Sequence, residues 1–114
     1  MAKKRINSKN KGSAYERKII NELKEWFPDA VSSRSESRSL DNQKVDVCYT
    51  DPLQVQCKAV EKSLDVHSIL NSMPVNGMMN LVFHKRNNQG CIVAMKKEDF
   101  YQLLEGMMHT KTKK

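Results

Sequence analysis

Several things are scarce in this chain, and each scarcity excludes something. No apolar run approaches the roughly 20 residues that a membrane-spanning helix needs, so no membrane partner is expected. The charged opening MAKKRINSKNK is followed by no apolar segment, which argues against a secretory signal and for a cytoplasmic protein. Cysteine is limited to Cys48, Cys57 and Cys91, an odd count with no C-x-x-C pair, and each sits in an apolar or alternating segment. That pattern suits reduced core residues better than a disulfide framework. His67, His84 and His109 have no zinc-ligand spacing to these cysteines or to one another, so structural zinc is not expected. Internal repeats and long linkers are also missing, and 114 residues make one domain.

Basic charge is abundant, and its placement is informative. The chain has 20 Lys and Arg against 13 Asp and Glu. Residues 1–11 hold Lys3, Lys4, Arg5, Lys9 and Lys11 without an acid, and residues 109–114 hold Lys111, Lys113 and Lys114, again without one. The sequence therefore divides into a basic N-terminal arm (1–11), a nearly neutral domain (12–108) and a basic C-terminal tail (109–114). Cationic ends on a neutral body suit a polyanionic partner; a merely solubilising tail is the plainer alternative.

Local signals give the order α-β-β-β-α-β-β-α, a mixed sheet with helices on its faces. Ser13 and Glu16 fit a capping box that opens a helix over residues 14–27, stopped by Pro28. Residues 30–33 form a short strand, and SRSESRSLDNQ has loop character. Residues 44–50 and 53–60 alternate as strands around an Asp51-Pro52 turn. Asp65 caps a helix over 66–72. Residues 79–85 and 91–95 are strands separated by a hairpin loop, and 96–105 form a closing helix ended by Gly106.

Three places carry chemistry. On the first helix Tyr15, Ile19, Ile20, Leu23, Trp26 and Phe27 project onto one apolar arc, and Glu16 falls in its middle. A carboxylate there costs several kcal/mol unless it is paired or bound to a metal; the alternative is a first-turn cap that frays outward. The second place is KVDVCYTDPLQVQCKAV. Pairing Val47 with Cys57, Tyr49 with Val55 and Asp46 with Lys58 puts the apolar residues on one face and Asp46, Gln56 and Lys58 on the other. A carboxylate and an amide oxygen are the hard donors that Mg²⁺ takes, and a neighbouring ammonium orients a water or offsets developing charge. An ordinary strand with a polar outer face is the plain alternative. The third is Ser33–Ser39, where Arg34 and Arg38 stand among hydroxyls suited to phosphate oxygens, or to a solvated loop.

Asp46 followed by Gln56-Cys57-Lys58 resembles the PD-(D/E)xK nuclease motif. With the helical Glu16 and the Arg/Ser loop before it, the stretch from about Gly12 to Phe100 is similar to the archaeal-type Holliday junction resolvases, which also occur in phages. The resemblance implies a restriction-endonuclease-like fold, α/β with a mixed five-stranded sheet flanked by helices. It also implies a homodimer and Mg²⁺-dependent cutting of four-way DNA junctions, with Mn²⁺ as a substitute. Glu16 would correspond to the family's N-terminal acid, Asp46 to its metal-binding Asp and Lys58 to its catalytic Lys. Glu16, Asp46, Gln56 and the Cys57 carbonyl would hold the metal. Lys3, Lys4, Arg5, Lys9, Lys11, Arg34, Ser37, Arg38, Ser39 and Lys62 would meet branched double-stranded DNA, with Ser37 or Ser39 near the family's loop serine.

Gln56 departs from the resolvases, which carry Glu there. A Q-x-K version resembles that of the methylation-directed restriction endonucleases, so the change does not imply a dead enzyme, but it removes one negative charge from the site. Two alternatives stay open: a related nuclease for flaps, nicks or duplex ends, and a non-catalytic DNA-binding module of the same fold. A chain this short leaves no room for a separate specificity domain.

Overall fold

The computed structural model describes residues 8–36, 39 and 44–112. Helix α1 spans Ser8–Leu23. It begins six residues before the expected start, so Ser13 and Glu16 lie in its interior and form no capping box. The cost of Gly12 inside a helix is only about 1 kcal/mol. Burial of Tyr15, Ile19, Ile20 and Leu23 one to three turns later outweighs it. The regular helix also ends sooner than expected. A tight turn follows, in which the Trp26 and Phe27 amides both donate to the Leu23 carbonyl, at 2.9 and 2.8 Å. This swings Trp26 out of the apolar arc, leaving it 70% exposed.

Strand β1 (Val31–Ser32) pairs antiparallel with β2 (Val47–Cys48), in the register Val31 with Cys48 and Ser32 with Val47. Part of the expected loop between them is a short helix, α2, at Ser33–Glu36. Strand β3 (Leu53–Ala59) runs parallel to β4 (Met79–Arg86), from Leu53 beside Met79 to Ala59 beside Lys85. Parallel neighbours need a crossover, and α3 (Val66–Ser72) lies within it, with the Asp65 side chain accepting from the Ser68 amide at 3.1 Å as predicted. Strand β5 (Gly90–Met95) returns antiparallel to β4. The connecting turn has positive φ at Asn88 and Gly90, a conformation that asparagine tolerates and glycine adopts freely. Helix α4 covers Lys97–Thr112 and runs past Gly106, the expected stop. One helical glycine is a modest penalty when Met107 and Met108, good helix formers, follow it.

The architecture is α/β, and among the described residues the strands form two sheets, β1–β2 and β3–β4–β5, where one five-stranded sheet was expected. The reason is local. Lys44 and Tyr49, on either side of the two-residue β2, both have left-handed backbone (φ 69° and 66°), which breaks the ladder at both ends. The sheets still touch: the Asp46 amide donates to the Val55 carbonyl at 2.7 Å. That bond replaces the expected register, in which Asp46 faced Lys58 and Val47 faced Cys57.

One core lies between α1 and the sheets, where Val47 and Val55 pack on Tyr15, Ile19, Ile20 and Leu23, joined by Leu53, Cys57 and Phe83. A second lies on the other face of β3–β4, where Val82 packs on Leu70 and Met73. Among the described residues no helix is long and apolar enough to cross a membrane.

Candidate active site

Glu16 is where the sequence pattern puts it, on the apolar face of α1, and it is 4% exposed. Lying in the helix interior, it is no first-turn cap. Its Oε1 accepts from the Ser32 hydroxyl at 3.2 Å, and Arg34 Nη2 lies 3.8 Å from Oε2. The Arg34 guanidinium also donates to Ser13 Oγ at 2.9 Å, and its main-chain amide donates to Ser32 Oγ at 3.2 Å. A half-exposed arginine at this distance offsets only part of the burial cost, because solvent screens it. Ser32 and Ser13 were not expected in the site. Hydroxyl residues are common in strands and helices alike, and nothing local marks two of them as partners of a carboxylate and a guanidinium.

Asp46 stands where β2 and β3 diverge. Its carbonyl accepts from the Ser33 amide at 2.9 Å and its own amide donates to Val55. The next rung is made by its side chain: Oδ2 accepts from the Cys57 amide at 2.8 Å. The carboxylate therefore continues the ladder where the backbone departs.

Both acids act on Cys57. Burial pushes its thiol far above the ordinary range, and the charges of Asp46 and then Glu16 push it further. Cys48 is raised as well, by burial first and then by Glu36. Cys91, expected in the core, is exposed on β5. At pH 8 iodoacetamide should therefore modify Cys91 within minutes and leave Cys57 largely intact, since only the thiolate attacks. Peptide mapping of alkylated protein checks this; equal labelling of both would mean that Cys57 is not held buried beside the carboxylates.

Gln56 and Lys58 alternate to the other face of β3, beside Val82 and His84 of β4. Gln56 is 5% exposed, and its Oε1 is buried without a hydrogen-bond partner among the described residues. Its neighbour Gln54 is fully engaged, donating to the Pro74 carbonyl and the Asn80 side chain and accepting from Asn76. Lys58 is half-buried. It lines an open groove of about 530 Å³ with Lys62, Glu61 and, from α1, Gly12. The structure thus gathers Glu16, Asp46 and Cys57 on the α1 side, with Gln56 and Lys58 flanking Cys57 along the strand and turned away from it. Ser33 Oγ is also buried without a partner among the described residues.

Of the residues expected at DNA, Arg34, Ser39 and Lys62 are exposed. Lys9 and Lys11 fall in the first turn of α1. Lys3, Lys4, Arg5, Ser37 and Arg38 lie outside the described residues.

The donor set at the divergence is oxygen, two carboxylates and a main-chain carbonyl, while the unsatisfied Gln56 amide lies on the opposite face of β3. Mg²⁺ is commonly held by one or two carboxylates with waters filling its shell, so this chemistry fits it. Among the described residues no three His, Cys, Asp or Glu side chains are grouped to hold an ion by themselves. No family model matches the chain, and no curated protein or solved structure is significantly similar to it.

Proposed function

We propose that the chain is an endonuclease that hydrolyses phosphodiesters of branched double-stranded DNA with Mg²⁺, as a homodimer inside the cell. The observation that carries this reading is the buried Glu16, kept inside an apolar helix face within charge reach of the strand position to which Asp46 is bonded. A fold does not keep a carboxylate there for stability alone, since an apolar residue would pack with less penalty. Glu16, Asp46 and the Cys57 carbonyl would hold the ion, and Gln56 Oε1 would join them by turning from the opposite face of β3. When bound, it would neutralise phosphate charge and acidify a water. Lys58, in the groove beside Lys62, offsets the negative charge that builds on the reacting phosphate. Arg34, Arg38, Ser37 and Ser39 grip neighbouring phosphates, and the basic ends add non-specific affinity.

A second reading, a DNA-binding module without catalysis, is favoured by the orientation of Gln56 and Lys58 away from Cys57. One assay separates the two: cutting of a synthetic four-way junction, a flap and a linear duplex with Mg²⁺ or Mn²⁺. Junction cutting supports the leading reading, flap or duplex cutting supports a related nuclease, and binding without cutting supports the module.

Gln56→Glu tests the ligand set. A carboxylate at this buried position has no partner without metal, so in EDTA the melting temperature should fall by several degrees. Mg²⁺ should restore it and half-maximal cutting should need several-fold less Mg²⁺, because hard cations respond to ligand charge. If metal titration of melting and of cutting leaves the two proteins alike, Gln56 is not a ligand.

The basic arm should set the salt dependence. Removing residues 1–7 and replacing Lys9 and Lys11 by Gln leaves the rest of α1 in place. The slope of log K against log salt should shrink by up to about 0.9 for each phosphate that the arm neutralises in the intact chain. An unchanged slope in a salt series of junction binding would exclude the arm from the interface.

A further inference from the structure

Helix α4 carries an apolar stripe that no described residue shields from solvent. Phe100, Tyr101, Leu103, Leu104, Met107 and Met108 fall within about 160° of its circumference, an apolar stripe of the width a core-facing helix carries. Yet every one of them is exposed. The helix is tied to the sheet at its first turn, where Asp99 Oδ2 accepts from the Asn80 amide at 3.4 Å. From Phe100 to Met108 no described side chain is shielded. Sixteen residues make a marginal helix in water unless tertiary packing supports one face. Strand β5, the edge of its sheet, carries further exposed apolar side chains. Ile92 and Val93 there point to opposite faces and both are exposed, and an apolar edge strand is a template for pairing with another chain.

We infer that the apolar face of α4, with the edge of β5, is the surface through which two copies of this chain associate. The inference rests on the homodimer proposed above and not on the nuclease chemistry. Three observations select a second copy as the occupant. The first is area: the six exposed side chains of α4 leave on the order of 500 Å² of surface open, at the upper end of what monomers usually expose. With a polar rim around it, an apolar centre of that size suits the roughly 800 Å² per partner of a standard stable interface. The second is composition. An apolar, methionine-bearing stripe resembles the interior of a homodimer interface more than a transient one, and the flexible Met107 and Met108 adapt to a two-fold contact. The third is charge. Between Lys97 and Lys111 the helix carries Glu98, Asp99 and Glu105 and neither Lys nor Arg, so it repels a phosphate backbone and DNA is not its ligand. The domain between the basic ends is nearly neutral, so two copies meet there without strong repulsion.

Sedimentation equilibrium and hydrogen exchange of the full chain test this together. The chain should sediment at twice its 13.2 kDa mass in the micromolar range. Amides of residues 90–95 and 97–112 should lose protection on dilution in step with the dimer, while those of β3 and β4 stay protected. The double variant Leu104→Glu, Met107→Glu should dissociate at concentrations at least about 100-fold higher, since it buries two charges at the contact. The exchange measurement needs no variant and stands even if that protein folds poorly. A monomeric wild-type chain at about 100 µM, far above the expected dissociation range, overturns the inference. So does a dimer whose α4 amides exchange independently of concentration, because its interface then lies elsewhere. A chain that dimerises through α4 but cuts no DNA upholds it while removing the nuclease reading; one that cuts junctions as a monomer overturns it and leaves the chemistry standing.

Discussion

Glu16→Gln is expected to slow junction cutting by about two orders of magnitude or more, the range over which a positioned acid, base or charge acts in an active site. Its melting temperature should hold or rise. Glutamine keeps an oxygen that accepts from Ser32 Oγ, and it removes a carboxylate that is only 4% exposed. The attraction to Arg34 that goes with it is small, because that guanidinium is half-exposed and 3.8 Å away; pairs of this kind contribute about 1 kcal/mol or less. A stable but inactive protein is the signature of a group kept for chemistry at a cost to the fold. The informative comparison is therefore single-turnover cutting beside thermal unfolding. If cutting survives while the melting temperature drops, Glu16 is a structural partner of Ser32 and Arg34 and the site must be sought elsewhere.

Asp46 should behave differently, because its carboxylate has a structural duty as well. In Asp46→Asn a side-chain oxygen still accepts from the Cys57 amide, so the rung between the two sheets survives while the charge is removed. Cutting should fall at least as far as with Glu16→Gln, and stability should change by less than about 1 kcal/mol. In Asp46→Ala the Cys57 amide is left without its acceptor at a half-buried position, which costs about 1–3 kcal/mol. In a domain of this size that lowers the melting temperature by roughly 4–20 °C. The two variants should be equally inactive and unequally stable. Cys57 provides an internal check. Removing the Asp46 charge lowers a thiol that this charge had raised, so alkylation of Cys57 should quicken in both. An Asn variant that cuts normally would mean that Asp46 serves only as the rung.

Some of this protein was determined by its sequence alone, and the reason is range. Asp65 caps Val66–Ser72 by reaching three residues along the chain. The turn after Arg86 closes on Asn88 and Gly90, which adopt left-handed backbone readily whatever surrounds them. Strands β3, β4 and β5 follow from alternating or continuous apolar runs between turn residues, and the burial of Glu16 follows from helical periodicity applied to its apolar neighbours. What tertiary structure decided is everything that depended on a distant partner. Ser8 starts α1 because burial of Tyr15 and Ile19 stabilises a helix that Gly12 alone would weaken, while Trp26 leaves the apolar arc because the chain turns back at Leu23 toward Ala30 and β1. Lys44 and Tyr49 adopt left-handed backbone that neither residue prefers, and those two positions break the ladder, leaving Asp46 bonded to Val55 and Cys57 and not opposite Lys58. Cys57, not Lys58, therefore lies on the carboxylate side, because successive residues of a strand face opposite ways. Gly106 fails to stop α4 because its terminal signal is weak next to the helix formers that follow. No local pattern distinguishes an apolar stripe that packs on its own sheet from one left exposed; only the tertiary structure, which leaves Phe100 to Met108 exposed, makes that distinction.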